Sequence, residues 1–332
     1  MKRKITLIPG DGIGLEIMHA ATEIIDAATD TIEWEENIAG FAAYEKCGEL
    51  LPMETIESIE RNKIAFKGPI TTPVGKGFRS INVQLRQKFN LYSNVRPVKS
   101  YEGIDALYKD LDLVIVRENS EDLYMGIEYM AKDDVAQSIK VITKGASERI
   151  ADFAFKVAEK ENRSKVTLTH KANIMKLSDG LFLESGRTVS KNYPDIKFED
   201  VIVDAMSMKL VMKPQDYQVI VAPNLYGDIL SDMAAGLVGG LGMAPSANIG
   251  EETAIFEPVH GSAPDIAGMN IANPTAAILS GIMMLRHIGE DSAALKIENA
   301  LKKTLKNKKL HTKDIGGNLS TTEFKDEIIK AM

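Results

Sequence analysis

The sequence predicts an α/β protein whose sheet is covered by helices on both faces. Short β-branched runs alternate along the chain with stretches of helical periodicity, and the runs read as buried strands. The chain has 332 residues, 44% hydrophobic and 26% charged, an ordinary globular composition with enough length for one large or two medium domains. The net charge of −7, with no long basic run, argues against nucleic acid or an anionic membrane as partner.

Ile5–Ile8 is the first strand. Pro9–Gly10–Asp11–Gly12 stops it too early for the apolar core of a signal peptide. No later run has the apolar length of a membrane span, and the expected location is the cytoplasm. Gly10–Asp11–Gly12–Ile13–Gly14 looks like a dinucleotide fingerprint, but its spacing is G-x-G-x-G rather than G-x-G-x-x-G. Glu33–Trp34–Glu35–Glu36 is also a poor substitute for the acidic end of a second strand. A tight turn leading into a helix over Gly14–Ala28 is the better reading. Cys47 is the only cysteine, so no intrachain disulfide can form; it reads as a packing residue at a helix end in a reducing compartment.

Ile64–Phe66 is the next strand, and Ser80 and Asn82 taken alone are helix-cap residues. Arg86, Arg96 and Arg117 follow. Arg96 precedes Pro97 and is therefore extended or turning, and Arg117 ends the strand Leu113–Val116. A strand's carboxyl end is where α/β proteins bind ligands, and guanidinium forks grip carboxylates. Taken singly, each arginine is more often a surface or ion-paired residue. Together with a dication they match a substrate carrying two or three carboxylates. Tyr124–Met130 and Val135–Thr143, separated by Lys132–Asp133–Asp134, predict a hairpin projecting from the body. It is either a surface feature of one subunit or a pairing element for another chain.

Val166–Thr169 and Val219–Ala222 are further strands, and Val201–Ile202–Val203 ends at Asp204. Asn224–Asp232 opens a helix that places Asp228 and Asp232 four residues apart on one face. With Asp204 they form an oxygen-only donor set suited to Mg²⁺ or Mn²⁺ rather than zinc; the pair alone could also be two solvated helix carboxylates. The methionine-rich stretches Met206–Met212 and Ile282–Leu285 read as core filler.

Several separated blocks resemble one family. They are Ile8–Gly14, Asn224–Asp232 followed by Gly239–Asn248, and Thr312–Gly317. Over essentially the whole chain the sequence is similar to the decarboxylating β-hydroxyacid dehydrogenases, which include the isocitrate, isopropylmalate and homoisocitrate dehydrogenases. The resemblance implies an α/β fold that is not Rossmann, with a mixed sheet flanked by helices. It implies a large domain of residues 1–98 and 239–332, and a small domain of residues 99–238. The clasp hairpin, residues 124–143, then interlocks the two chains of a homodimer with shared active sites.

Carried over by the same resemblance, Arg86, Arg96 and Arg117 bind substrate carboxylates, and Ser80 and Asn82 take the tail carboxylate. Asp204, Asp228 and Asp232 hold Mg²⁺ or Mn²⁺, Asp204 coming from the second chain of the dimer. Tyr124 protonates the enolate, and Lys171, also supplied by the second chain, assists proton transfer; without the resemblance they read as a core or clasp aromatic and a surface lysine. The cofactor residues are Thr72, Glu257, His260, Gly261, Ser262, Ala263, Asp265, Ile266 and Asn273.

NADP-dependent prokaryotic relatives have lysine then tyrosine where Asp265 and Ile266 stand here. A carboxylate accepts hydrogen bonds from ribose hydroxyls and repels a 2′-phosphate, so NAD is the expected cofactor. The expected activity is oxidative decarboxylation of the tricarboxylate isocitrate to 2-oxoglutarate and CO₂. Homoisocitrate or 3-isopropylmalate dehydrogenase is the alternative. A reading of another class is a non-catalytic regulatory subunit of a hetero-oligomeric isocitrate dehydrogenase; the full set of Tyr124, Lys171, the three aspartates and the three arginines speaks against it.

Overall fold

The structure is a computed structural model and describes residues 2–71 and 80–332. Thr72, one of the expected cofactor residues, lies outside the described residues. The strands are β1 (Arg3–Ile8), β2 (Ile32–Glu36), β3 (Ile64–Lys67), β4 (Ser93–Lys99), β5 (Asp112–Glu118), β6 (Glu128–Lys132), β7 (Val135–Ser138), β8 (Lys165–His170), β9 (Lys197–Ile202), β10 (Val219–Ala222), β11 (Pro245–Ile249) and β12 (Ala254–Pro258). Ten of them form one sheet in the order β2-β1-β3-β12-β11-β4-β5-β10-β8-β9, and β6 and β7 form a separate hairpin.

The sheet is mixed. β2, β1, β3 and β12 are parallel, as are β5, β10, β8 and β9. Three successive antiparallel pairings, β12–β11, β11–β4 and β4–β5, join the two blocks. The blocks therefore run in opposite directions, which no Rossmann sheet does.

Helices cover both faces, as the continuous apolar strands require. Along β1, Leu7 packs into one core cluster and Ile8 into another; Phe66 and Ala65 of β3, and Phe256 and Ile255 of β12, divide in the same way. The first cluster holds Ile17, Ala21 and Ile24 of α1 (Gly14–Ala28), with Ile278 and Ile282 of α9 (Thr275–His287). The other holds Ile59 of α3 (Met53–Asn62), after the short α2 (Phe41–Cys47), with Ile81 and Leu85 of α4 (Ile81–Lys88). In the second block Val114 and Val116 of β5 face α5 (Lys144–Lys160) and α6 (Ser178–Ser190). Leu113 and Ile115 pack with Met206 and Leu210 of α7 (Val203–Met212) and Leu230 of α8 (Asn224–Leu237). α10 (Asp291–Lys306) and α11 (Thr321–Ala331) close the chain.

Four sequence-based expectations are corrected. Tyr124 does not begin a hairpin strand, because Asp122–Met125 form a single 3-10 turn stopped by Gly126 at φ 68°. The second hairpin strand ends at Ser138, not Thr143, because the Thr143 side chain caps α5 by accepting from the Ala146 amide. Met206–Met212 is not all core: α7 buries Met206 and Leu210 but exposes Met208, Val211 and Met212. Cys47 does sit at a helix end, but it is exposed rather than packed.

Candidate active site

A cavity of about 310 Å³ opens over the antiparallel centre of the sheet. Its walls come from β4, β5, α4, α8 and the segment following β12. The chain builds each wall by a local device. Ser80 caps α4 with its Oγ, which accepts from the Val83 amide at 3.5 Å; one turn later α4 delivers Arg86, now buried. Arg96 and Arg117 project from neighbouring strands, and both are buried. Pro223, at φ −55° and ψ 161°, turns β10 into α8, whose first turns carry Asn224, Asp228 and Asp232 on one face.

Side-chain geometry ties these walls together. The Arg117 guanidinium donates to Asn224 Oδ1 at 3.0 Å from Nε and 2.7 Å from Nη2, and to Asp228 from Nη1. Arg96 donates from Nη1 to Ser231 Oγ (2.6 Å) and Asp232 (2.9 Å), and from Nη2 to Asp228 (3.1 Å). The Tyr124 hydroxyl donates to Asp228 Oδ2 at 2.6 Å, with the Arg117 guanidinium 4.9 Å from its ring centre. Two buried polar atoms in the cavity wall, Asn82 Oδ1 and Arg86 Nε, have no hydrogen-bond partner among the described residues. Orphans of this kind are costly, and they mark where a polar ligand would complete the site.

Electrostatics follow from crowding cations around few anions. Burial, and then the charges of Arg86 and Arg96, lower the Arg117 pKa to about 10. Burial also lowers that of Arg86, partly offset by Glu257. Burial pushes the Asp228 carboxyl up, but Arg117 and Arg96 outweigh it and hold the group below the usual carboxylate range. Asp232 is raised, because burial there prevails over Arg96. Burial and the bond to Asp228 raise the Tyr124 hydroxyl, which stays protonated at neutral pH.

The cavity thus gathers Ser80, Asn82, Arg86, Arg96, Arg117, Tyr124, Asp228, Asp232, Glu257, His260 and Gly261 of the expected site. The other described cofactor residues continue along the loop. Ser262 Oγ lies 2.6 Å from Thr71 Oγ1, and its carbonyl accepts from the Ile13 amide at 2.9 Å. The loop is thereby seated on the Gly10–Gly14 turn, where a Cβ at Gly12 would stand 2.0 Å from Ser262 O. Ala263 adopts φ 37°, Asp265 is exposed and Ile266 half-buried in the turn Pro264–Ile266, and Asn273 donates to Asp314 at 3.0 Å.

Lys171 and Asp204 are not among the cavity residues. They pair with each other at 2.5 Å, Asp204 remains 68% exposed, and the bond from Lys171 holds the Asp204 carboxyl low. Asp204 lies in the first turn of α7, past the strand end expected for it, because β9 stops at Ile202. Among the described residues of one chain, no three His, Cys, Asp or Glu side chains converge as a metal site. Asp228 and Asp232 do fit part of one: both line the cavity one helical turn apart, and both are hard oxygen donors.

Several site residues were not singled out from sequence. Asn224 could have been, since it lies one turn before Asp228 in the same block. Ser231, Lys67 and Ser246 could not. Lys67 ends an apolar strand, and its buried pairing with Glu257 is a tertiary fact.

Gly227 faces Arg117, and a Cβ there would stand 2.7 Å from Arg117 Cβ and Cγ. Gly227→Ala is therefore expected to push α8 off β5 and to destabilise the protein by about 1–3 kcal/mol, the usual cost of overpacking. Urea unfolding measures it, and an unchanged midpoint would contradict this packing.

A family model described as isocitrate/isopropylmalate dehydrogenase matches residues 4–328. The chain belongs to this family. Other members agree over nearly the whole length. A probable mitochondrial NAD isocitrate dehydrogenase of Drosophila melanogaster, its alpha chain, is 52% identical over 98% of this chain and 86% of its own. A regulatory chain of mitochondrial NAD isocitrate dehydrogenase from Dictyostelium discoideum is 53% identical over 99% and 91%. The crystal structure of isocitrate dehydrogenase from Methylococcus capsulatus superposes with a TM-score of 0.96 at 53% identity, covering 100% of this chain and 99% of that one. The isocitrate/isopropylmalate dehydrogenase fold expected from sequence is thus the observed one. The cytoplasmic location is a correction: family members about half identical to this chain, from Drosophila, pig and human, are mitochondrial proteins. Composition could not carry that information.

Proposed function

We propose that the protein catalyses NAD-dependent oxidative decarboxylation of isocitrate to 2-oxoglutarate and CO₂, as a homodimer with shared active sites. The observation that carries this is the cavity in which three buried arginines face two aspartates, beside Asn82 Oδ1 and Arg86 Nε, which have no partner among the described residues. Arg86, Arg96 and Arg117 grip two substrate carboxylates in forked hydrogen bonds, and Ser80 and Asn82 take the third. A branched alkyl tail, as in isopropylmalate, would leave those polar groups unmatched. Homoisocitrate, one methylene longer, is excluded less strongly, by about 1–3 kcal/mol.

When bound, NAD supplies the hydride acceptor and a divalent cation the Lewis-acid polarisation of substrate oxygens. Asp228 and Asp232, together with the partner's Asp204, are the cation's oxygen ligands. The partner's Lys171 assists removal of the hydroxyl proton, and Tyr124, kept protonated, returns a proton to carbon after CO₂ leaves. Exposed Asp265 accepts from the adenosine ribose hydroxyls, in a loop completed by Glu257, His260, Gly261, Ser262, Ala263, Ile266 and Asn273.

Two features support the dimer. Every strand residue of the hairpin is exposed, and the large apolar side chains Ile174, Leu177, Met208, Val211, Met212 and Ile229, on or just before α6, α7 and α8, are each exposed. The proposed domains, residues 1–98 with 239–332 and residues 99–238, part between β4 and β5. That is where strands from the two chain ends give way to strands from the middle.

Rates of the purified homomer with isocitrate, homoisocitrate and 3-isopropylmalate, each with NAD or NADP and with or without EDTA, test this reading. Isocitrate with NAD is expected to be fastest and EDTA to abolish turnover. An inactive homomer would favour the regulatory reading, and faster turnover of another pair would reassign substrate or cofactor.

A further inference from the structure

Along the cavity floor, a row of buried polar side chains crosses four adjacent strands, from Arg96 on β4 to Lys67 on β3. Arg96 Nε donates to Asn94 Oδ1 at 2.7 Å. Asn94 Nδ2 donates to Asn248 Oδ1 at 2.9 Å and to Ser246 Oγ at 2.7 Å. Asn248 Nδ2 donates to Glu257 Oε1 at 2.7 Å, and the other Glu257 oxygen pairs with Lys67. Asn94 and Asn248 are buried, face each other in register across β4 and β11, and do not line the cavity.

The direction of this row is forced from both ends. A guanidinium only donates, so Asn94 must turn its oxygen to Arg96 and its amide nitrogen to Asn248. A carboxylate only accepts, so Asn248 must turn its nitrogen to Glu257 and its oxygen to Asn94. Asn119 Nδ2 donates to the same Asn248 oxygen at 3.0 Å and locks that orientation. Neither amide can flip without breaking bonds on both sides.

We propose that Asn94 and Asn248 are positioning residues for the reaction: they lock the Arg96 fork from below and link it to Glu257 across the cavity floor. The proposal rests on the function given above. Its consequence is geometric. The Arg96 Nε is committed downward, which leaves Nη1 and Nη2 as the edge turned to Ser231, Asp228, Asp232 and an incoming carboxylate. Without the lock the guanidinium rotates about its stem, and substrate affinity suffers before the chemical step does.

The experiment compares isocitrate KM and kcat of the wild-type dimer with those of Asn94→Leu, Asn94→Asp, Asn248→Leu and the double leucine variant. Asn94→Leu is expected to raise isocitrate KM about tenfold or more, the scale of one lost bond to a charged group, with a smaller change in kcat. Asn94→Asp keeps an oxygen under Arg96 Nε but sets its second oxygen against the acceptor Asn248 Oδ1, so its isocitrate KM should fall between those of the wild type and Asn94→Leu; a merely structural role would make the buried carboxylate the more damaging of the two. Because the two amides act in series, the double variant should bind isocitrate no worse than Asn94→Leu alone. Should Asn94→Leu fail to fold, Asn94→Ser, too short to reach Nε, carries the same expectation. An unchanged KM in Asn94→Leu or Asn94→Ser, or additive losses in the double variant, would overturn the proposal while the wild type remains active. A wild type inactive toward isocitrate would instead remove the proposed function, and this inference with it.

Discussion

Tyr124→Phe is expected to lower kcat for isocitrate by about 10²–10⁴, the range for removing a positioned proton donor. The ring contributes its contact with the Arg117 guanidinium through its face, which phenylalanine retains. The hydroxyl alone donates to Asp228 Oδ2 at 2.6 Å, and Asp228 keeps Arg96 and Arg117 when that bond goes. Stability should therefore fall by no more than about 1 kcal/mol, the net worth of one such hydrogen bond. Isocitrate KM should move little, because the arginines proposed to grip the substrate are untouched. Steady-state rates with a thermal melt of the same preparation separate these effects. Near-wild-type kcat in a folded dimer would remove Tyr124 from the chemistry.

Lys171→Met should be equally damaging to turnover, for a reason one chain does not display. Within a chain Lys171 touches Asp204, and neither lies on the cavity wall. Methionine preserves the length of the stem and removes the ammonium, so the half-buried chain can pack as before. The variant should fold, bind isocitrate with nearly unchanged KM, and lose most of kcat. Retained turnover would mean that the lysine serves only to hold Asp204.

Much of the fold was legible because punctuating residues mark its elements. α1 spans Gly14–Ala28 and β10 spans Val219–Ala222, the bounds read from sequence, since Gly10–Gly14 and Pro223 fix where strand gives way to helix. The paired aspartates were legible as one helical face from their spacing, and the three arginines as one group through the family resemblance; residue type alone left both open. What sequence hid depends on distant partners. Ser80 is both a helix cap and a cavity residue, and the cap alone would account for it. Lys67, Asn94 and Asn248 are polar side chains in buried strands, whose matching acceptors and donors exist only after the sheet is assembled. Met208, Val211 and Met212 read as core because local hydrophobicity does not distinguish an interior position from an exposed one. The hairpin ends shifted because a 3-10 turn and a threonine cap competed with strand propensity.

In the proposed dimer each active site draws on two chains around one arginine-lined cavity. The most direct test mixes the two inactive variants. When Lys171→Met and Tyr124→Phe chains are co-folded in equal amounts, each mixed dimer holds one site with an intact tyrosine from one chain and an intact lysine from the other. About a quarter of wild-type turnover should then return, from half-active mixed dimers making up about half of the population. If both residues acted within a single chain, every site would carry a lesion. Mixed dimers as inactive as their parents would contradict the account.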